Sequence, residues 1–210
     1  MIHEILPVGP LQCNCSILGD EATHEAIVID PGDEIDDILA LVRKHRLQVK
    51  QIIITHAHID HVGGASKLRQ GTGAPILLNQ NDYALLKMLD VQAAWIGMPP
   101  PGEVNIDQDL GPADTVKAGS LSAQVLHTPG HTEGSVCLYF ELEKKLIAGD
   151  TLFAGSIGRT DLPGGSYKKI LSSLHERVLA LPDETVVVPG HGPLTTIGVE
   201  RATNPFLTKS

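Results

Sequence analysis

Short aliphatic and β-branched runs separated by turn residues open the chain. Three of them predict strands: Ile2 to Leu6, Asn14 to Leu18 and Glu25 to Asp30. Pro31-Gly32-Asp33 predicts a turn after the third run, and apolar residues at helical spacing begin at Ile35, with Asp33 as a candidate N-cap. The opening therefore predicts an antiparallel sheet edge with an amphipathic helix packed on it.

The next stretch alternates strands with helices. Gln51 to Thr55 is a continuous β-branched run that predicts a strand buried on both faces, and Ala74 to Asn79 predicts another extended segment. Helices are expected from near Val62 and over Asp82 to Leu89. Val91 to Gly111 contains a triple proline and predicts irregular structure, in which the loop from Trp95 to Pro101 could cover a site.

The second half reads as a meander followed by a helix and a last strand. The expected strands are Thr115 to Lys117, Leu121 to His127, Ser135 to Phe140, Lys145 to Ala148 and Thr185 to Val188, and the helix is Ser166 to Leu179. No linker separates the halves. The fold class is α/β, a four-layer αββα sandwich in which helices cover two sheets, and residues 1–210 are expected to form a single domain.

Composition narrows the function classes. The 210 residues are 42% hydrophobic and 20% charged, values of an ordinary globular chain, and the net charge is -9. This charge argues against nucleic acid and anionic membranes as partners. The first ten residues lack a signal-peptide pattern, so we expect a cytoplasmic protein. The three cysteines, Cys13, Cys15 and Cys137, are expected to be reduced and structural.

The segment Thr55-His56-Ala57-His58-Ile59-Asp60-His61 carries the clearest chemistry. It places three imidazoles and a carboxylate within six positions, directly after a predicted buried strand. His56 and His58 can face the same way from an extended backbone, whereas His61 must come from the following turn. Imidazole and carboxylate are metal ligands, so this segment predicts a metal site.

Three further candidates share one local setting, the end of an apolar strand beside a glycine. They are His131 in Gly130-His131, Asp150 in Gly149-Asp150 and His191 in Gly190-His191. We expect all three at one edge of the sheets, where loops converge on a shared crevice. Seven candidate ligands exceed the three or four that one zinc needs, so a dinuclear centre with one bridging carboxylate is predicted.

Together these residues resemble the signature of the metallo-β-lactamase-fold superfamily, from about Cys13 to His191. Gly149-Asp150-Thr151-Leu152-Phe153 and Gly158-Arg159-Thr160-Asp161 resemble the glyoxalase II-like hydrolases and the related persulfide dioxygenases. The resemblance implies two divalent metal ions. Zinc is the first expectation, with iron or manganese as alternatives. The implied ligands are His56, His58 and His131 for the first ion and Asp60, His61 and His191 for the second, with Asp150 bridging.

The resemblance also implies an activity, the hydrolysis of a small-molecule thioester such as S-lactoylglutathione. A hydroxide shared by the two metal ions would attack the carbonyl, Asp60 would orient it or take a proton, and Arg159 would anchor an anionic group of the substrate. The alternative role of Arg159 is a structural ion pair with Asp161. Only 19 residues follow His191, so the chain resembles short-form members without the helical domain that holds glutathione. The aspartate at 150 separates it from true metallo-β-lactamases.

Other functions stay open at this point. A mononuclear Fe(II) persulfide dioxygenase would use His56 and His58 or their neighbours His131 and Asp150. A lactone or ester hydrolase fits the same ligands. A structural metal site in a non-catalytic binding module is the third alternative, although structural zinc sites are commonly rich in cysteine and no cysteine lies in a ligand segment.

Overall fold

The computed structural model describes residues 1–208, and its first six strands form one sheet. In spatial order they are β1 (Ile2–Val8), β2 (Cys13–Gly19), β3 (Glu25–Ile29), β4 (Gln48–Ile53), β5 (Ile76–Leu78) and β6 (Gln108–Asp109). β1, β2 and β3 pair antiparallel, and β3 to β6 pair parallel. The predicted antiparallel edge is confirmed, and the chain reaches the parallel part through helices.

A second six-stranded sheet comes from the other half of the chain. Its members are β7 (Thr115–Ala118), β8 (Leu121–His127), β9 (Val136–Phe140), β10 (Lys145–Gly149), β13 (Val186–Pro189) and β14 (Thr195–Thr196). The spatial order is β14-β13-β10-β9-β8-β7. A two-stranded ribbon of β11 (Leu152–Phe153) and β12 (Ser156–Ile157) leaves the end of β10.

Helices lie on the outer faces of both sheets. Those of the first half are α1 (Ile35–Lys44), α2 (Ile59–Val62), α3 (Ala65–Thr72), a 3₁₀ turn (Gln80–Asp82), α4 (Tyr83–Leu86) and α5 (Leu89–Ile96). Those of the second half are α6 (Tyr167–Ser173), which continues as a π-helical turn (Leu174–Val178), and α7 (Ile197–Thr203). Among residues 1–208, no helix has the length and apolar character needed to cross a membrane.

Three apolar clusters separate four layers. One cluster packs α1 and α3 on the first sheet, through residues such as Ile38 and Val28. A second fills the space between the sheets, where Ile27 meets Phe140. The third lies under α6 and α7 and includes Ile197. Successive strand residues such as Ile27 and Val28 point to opposite faces, so a continuous apolar strand is buried on both sides. The αββα sandwich is confirmed.

The prediction of irregular structure over Val91 to Gly111 is wrong at both ends. Residues up to Ile96 form α5, and β6 pairs with β5 near the other end. The triple proline begins only at Pro99, beyond the helix, and Gly97 ends α5 in the left-handed conformation at φ 71° while its N–H bonds Ala93 O. Trp95 is therefore a helix residue, not a loop residue.

Other boundaries also differ from expectation. Asp33 does not cap α1: Glu34 takes that position, and Asp33 accepts a hydrogen bond only from the Glu34 N–H. The predicted helix Asp82 to Leu89 is interrupted after α4. The short β14 and α7 near the C-terminus were not foreseen, and Thr196 caps α7 by accepting a hydrogen bond from Val199 N.

A polar link between the sheets predicts a pH dependence of stability. Lys145 Nζ on β10 lies 2.8 Å from His3 Nδ1 on β1, and burial, with a smaller contribution from Lys145, lowers the pKa of His3 to about 4. The unfolded chain therefore binds a proton more readily than the folded one between pH 6.5 and 4, and stability falls as the pH falls through this window.

Replacing His3 removes this contribution. Between pH 7 and 4.5 the free energy of unfolding of the parent should fall. That of His3→Gln should fall by about 1–2 kcal/mol less over the same range. Urea unfolding of metal-free protein at the two pH values measures the difference. The exposed His175 on the π-helical turn provides the control, His175→Gln, which should follow the parent. Equal losses for both variants would contradict the assignment.

Candidate metal centre

Loops at one edge of the sandwich bring the seven predicted ligands together. The loop after β4 and the start of α2 carry four of them, and the other three follow β8, β10 and β13. The complete set is His56, His58, Asp60, His61, His131, Asp150 and His191. Strands from both sheets end at this edge, so each half of the chain contributes to one cluster.

His56, His58 and His131 form a first trio, which we call trio 1. His58 Nδ1 lies 3.0 Å from His56 Nε2 and 2.9 Å from His131 Nε2. His56 and His131 are buried, and His58 is partly exposed at the cavity. Three imidazole nitrogens within 4.8 Å of one another could hold one metal ion.

Asp60, His61 and His191 form trio 2. His191 Nε2 lies 3.1 Å from Asp60 Oδ2 and 3.3 Å from His61 Nε2. Asp150 stands between the trios, because its Oδ2 is 3.6 Å from His131 Nε2 and 3.7 Å from His191 Nε2. The arrangement could hold two ions with one carboxylate facing both.

Backbone carbonyls fix the orientation of two of the rings. His131 Nδ1 donates to Arg159 O at 2.8 Å, and His191 Nδ1 donates to Leu11 O at 2.9 Å. A carbonyl can only accept, so the proton of each neutral ring sits on Nδ1 and the Nε2 lone pair faces the cluster. This is the tautomer that a metal ligand requires.

Asp30, which follows β3, performs the same task for two more histidines. Its Oδ2 lies 2.9 Å from His61 Nδ1, and the Thr55 hydroxyl donates to it at 2.7 Å while Thr55 N donates to Oδ1 at 2.7 Å. Because the Thr55 proton is committed to Asp30, the hydroxyl oxygen is left to accept from His56 Nδ1 at 3.1 Å. One buried carboxylate therefore orients a ring in each trio: His61 directly, and His56 through the Thr55 hydroxyl.

Asp30 was missing from the predicted site. Its only sequence signal was an aspartate at the end of an apolar strand, the setting that also singled out Asp150. Cys13 lies outside every ligand segment of the sequence, but the fold places its Sγ 3.5 Å from His61 Nδ1. Burial raises the pKa of the Cys13 thiol to about 12, so it stays protonated there. All three cysteines are free thiols, as predicted.

Asp82, also missed, ties the ligand loops of the two sheets together. Its Oδ2 accepts from Ala57 N at 2.9 Å, inside the first ligand loop. The same carboxylate accepts from Thr132 Oγ1 at 2.8 Å and Gly134 N at 2.6 Å, beside His131. Burial raises the pKa of Asp82 despite these donors. The spacing within trio 1 therefore depends on a side chain that contacts neither the cavity centre nor a ligand ring.

The electrostatics of the cluster fit divalent cations. Burial, with neighbouring imidazoles, lowers the pKa of His58 to about 3 and that of His56 well below its ordinary value, so both rings are neutral. Burial opposes a charge on His61 too, but the carboxylates of Asp150, Asp30 and Asp60 hold its pKa well above the usual range. Asp150 Oδ1 is buried without a hydrogen-bond partner. Bare nitrogens and an unpartnered carboxylate oxygen are groups that a metal ion would satisfy.

Two of the glycines beside the ligands are required by close approach. A Cβ at Gly190 would lie 2.1 Å from Asp150 Oδ1 and 2.8 Å from His61 Cε1. Gly149 has φ 48°, and a Cβ there would meet Thr55 Oγ1 at 2.6 Å. The glycines that marked Asp150 and His191 in the sequence thus leave room for the ligands and their support.

A cavity of about 270 Å³ opens onto the cluster, and Arg159 lies in its lining. The Arg159 side chain is 60% exposed, and its Nε and Nη2 each donate to Asp161 at 2.8 Å. This ion pair raises the pKa of Arg159 and lowers that of Asp161 to about 2. The structural alternative for Arg159 is thus present in the fold, and Arg159 also lines the cavity.

The bridge made by Asp82 can be tested directly. In Asp82→Asn, an amide NH₂ group replaces one carboxylate oxygen and faces an N–H or O–H donor, so at least one hydrogen bond is lost. This loss loosens His131 relative to the first ligand loop. We expect zinc affinity to fall about 10–100-fold, the usual effect of losing an outer-shell partner. Calorimetric zinc titration of chelator-treated protein measures it. Asp90→Asn, at an exposed position on α5, is the control, and equal affinity of both variants would refute the role.

The chain is similar to known proteins over most of its length. The family model described as "Metallo-beta-lactamase superfamily" matches residues 8–191. A protein named hydroxyacylglutathione hydrolase GloC from Haemophilus influenzae is 40% identical over 212 residues, and the match covers 97% of each chain.

Two solved structures extend the similarity to the whole fold. The BLEG-1 B3 metallo-beta-lactamase has a TM-score of 0.92 at 37% identity, covering 99% of this chain and 100% of its own. TTHA1623, solved in a di-iron-bound form, has a TM-score of 0.88 at 40% identity, covering 97% and 100%. This fold binds divalent metals, and its members are generally hydrolases. The chain belongs to the metallo-beta-lactamase superfamily.

Proposed function

We propose that the chain is a metal-dependent hydrolase that cleaves thioesters, with S-lactoylglutathione as the first substrate to test. The observation that carries the proposal is the pair of ligand trios facing one carboxylate, with four rings turned by Asp30, Thr55 and two backbone carbonyls so that their Nε2 atoms face the cluster. The relative named hydroxyacylglutathione hydrolase supports the choice of substrate.

The two trios would hold the metal ions, with Asp150 between them. Zinc suits the mixture of imidazole and carboxylate ligands, and the di-iron form of TTHA1623 supports iron as the alternative. Divalent ions at these positions would supply Lewis acidity and lower the pKa of a bound water to about 7.

The chain's own residues would position the substrate and move a proton. Asp60 Oδ2 faces the cavity side of trio 2, 3.1 Å from His191 Nε2, and its carboxylate would orient the attacking water and accept its proton. Attack at the thioester carbonyl breaks the C–S bond, and the thiol leaves with a proton. Because His58 and His131 line the cavity, a thioester bound there would lie close to the cluster.

The first test is loss of thioester absorbance at neutral pH. Metal-loaded protein should hydrolyse S-lactoylglutathione with kcat/KM above roughly 10⁴ M⁻¹s⁻¹, the low end of ordinary enzymes, and chelation should abolish turnover. Asp150→Ala should lose roughly 10²–10³-fold in kcat/KM, because metal-centred charge stabilisation is worth several kcal/mol. Asp36→Asn, exposed on α1, should retain full activity.

The metal content of each variant decides how a negative result is read. Protein that holds two metal ions per chain and still leaves S-lactoylglutathione intact would refute S-lactoylglutathione as the substrate. Oxygen uptake with glutathione persulfide would then test the dioxygenase, and lactones would follow.

β-Lactam hydrolysis is a second candidate, because the BLEG-1 structure covers nearly the whole chain and is named a B3 metallo-beta-lactamase. Cleavage of a strained amide and of a thioester both begin with attack on a carbonyl, so the same centre could serve either. Nitrocefin turnover, measured beside S-lactoylglutathione with the same metal-loaded protein, ranks the two by kcat/KM.

Arg159 and Asp161 give a paired prediction about the substrate's anionic group. Asp161 competes with a substrate carboxylate for the same guanidinium edge. Arg159→Ala should raise KM for S-lactoylglutathione about two- to fivefold, the range of an exposed ion pair, while Asp161→Asn should lower it by a similar factor. Steady-state kinetics measures both, with kcat unchanged. Parallel changes in the two variants would indicate a purely structural ion pair.

A further inference from the structure

The lining of the cavity beside the candidate metal centre contains two unlike sets of residues. One set is the predicted ligands His58, Asp60, His131, Asp150 and His191. The other set is apolar, and we call it the wall: Leu11, Leu85, Trp95, Ile96, Leu162 and Pro163. Trp95 is 58% exposed and Leu11 is 48% exposed. Large apolar side chains left open beside a polar centre are the usual lining of a ligand pocket.

Charge offers little for a ligand to bind in this cavity. Arg159 is the one lysine or arginine of its lining, and Asp161 already holds two of the guanidinium donors. The chain as a whole carries a net charge of -9. A glutathione group has two carboxylates and one ammonium, and recognising it by charge would need more cations than this. Most of the binding energy must therefore come from apolar contact.

The wall is fixed to the ligand loop by Gln92, which lies one turn before Trp95 on α5. The buried Gln92 accepts from Ile59 N at 3.0 Å and donates to Ala57 O at 3.1 Å, on the two sides of His58. Its amide also donates to Leu85 O at 3.1 Å. The helix that carries Trp95 is thus bonded to the backbone around His58, and the indole keeps its place relative to trio 1.

We propose that Trp95 is a specificity-determining residue, whose indole binds an apolar substituent, an alkyl chain or an aromatic ring, attached to either side of the thioester. The inference rests on the proposed function and names the substrate class, thioesters with an apolar acyl or thiol part. Each methylene buried against the wall should strengthen binding up to about fourfold, so a chain of several carbons gains at least tenfold over a methyl group.

Binding can be followed without hydrolysis, because Trp95 is the only tryptophan in the sequence. S-hexylglutathione and S-methylglutathione are thioethers that lack the carbonyl. The hexyl compound should shift Trp95 emission to the blue with saturation, and the methyl compound should bind at least tenfold more weakly. Leu162→Ala should weaken the binding of the hexyl compound. The control is Val91→Ala, exposed one turn earlier on α5 and outside the cavity lining, which should match the parent.

Turnover gives the second readout. Acetyl, hexanoyl and phenylacetyl thioesters of glutathione and of N-acetylcysteamine vary the acyl and thiol parts separately. We expect Trp95→Ala to raise KM for hexanoyl and phenylacetyl thioesters at least tenfold, with kcat within about threefold and acetyl thioesters little changed. If KM rises more when the acyl part is varied than when the thiol part is varied, the acyl side contacts the wall, and the reverse result identifies the thiol side.

The outcomes separate this inference from the proposed function. A blue shift selective for the hexyl compound, without hydrolysis of any thioester, supports the apolar site and refutes the thioesterase. Hydrolysis independent of chain length, with no selective shift and an unaffected Trp95→Ala variant, supports the thioesterase and overturns the role of Trp95.

Discussion

The whole site depends on one electrostatic constraint, the convergence of imidazole nitrogens and carboxylate oxygens in a buried space. His56, His58 and His131 face one another at about 3 Å through nitrogen atoms, and of the three rings only His58 can place its proton between them. Desolvated lone pairs at that distance repel, so such a cluster is stable only if a cation completes it or if the surrounding fold enforces it. Here the fold contributes outward hydrogen bonds from four of the rings, those of His56, His61, His131 and His191.

That constraint explains why the sandwich and the site cannot be separated. Each trio takes residues from both halves of the chain: trio 1 needs His131 and trio 2 needs His191, while the remaining ligands come from the loop after β4 and from α2. Asp82 then bonds the two ligand loops to each other. The apolar cluster between the sheets holds the halves together, and the hydrogen bonds of Asp82 fix the alignment of the two ligand loops.

The layers and the residues of the candidate metal centre could be predicted from the sequence, but the residues that orient the imidazole rings could not. The apolar strands and the segment from His56 to His61 could be recognised, because periodicity and the spacing of histidines are local properties of the sequence. Asp30, Asp82 and Gln92 act through hydrogen bonds to residues 25 to 52 positions away. Nothing in a local pattern distinguishes such a partner from an ordinary surface residue or helix cap. Trp95 was predicted to lie in a loop because the triple proline is a strong loop signal. The prolines begin at Pro99, just past Gly97, which ends α5.

The distribution of the two trios along the chain has a consequence for biosynthesis. His131 completes trio 1 while the polypeptide that contains β10, α6 and His191 has yet to be translated. Trio 2 waits for His191, near the end of the chain. All residues of trio 1 are therefore synthesised before trio 2 is complete, but the Arg159 carbonyl that orients His131 follows later in the chain. Neither trio reaches its final geometry until the second half of the chain has folded against the first.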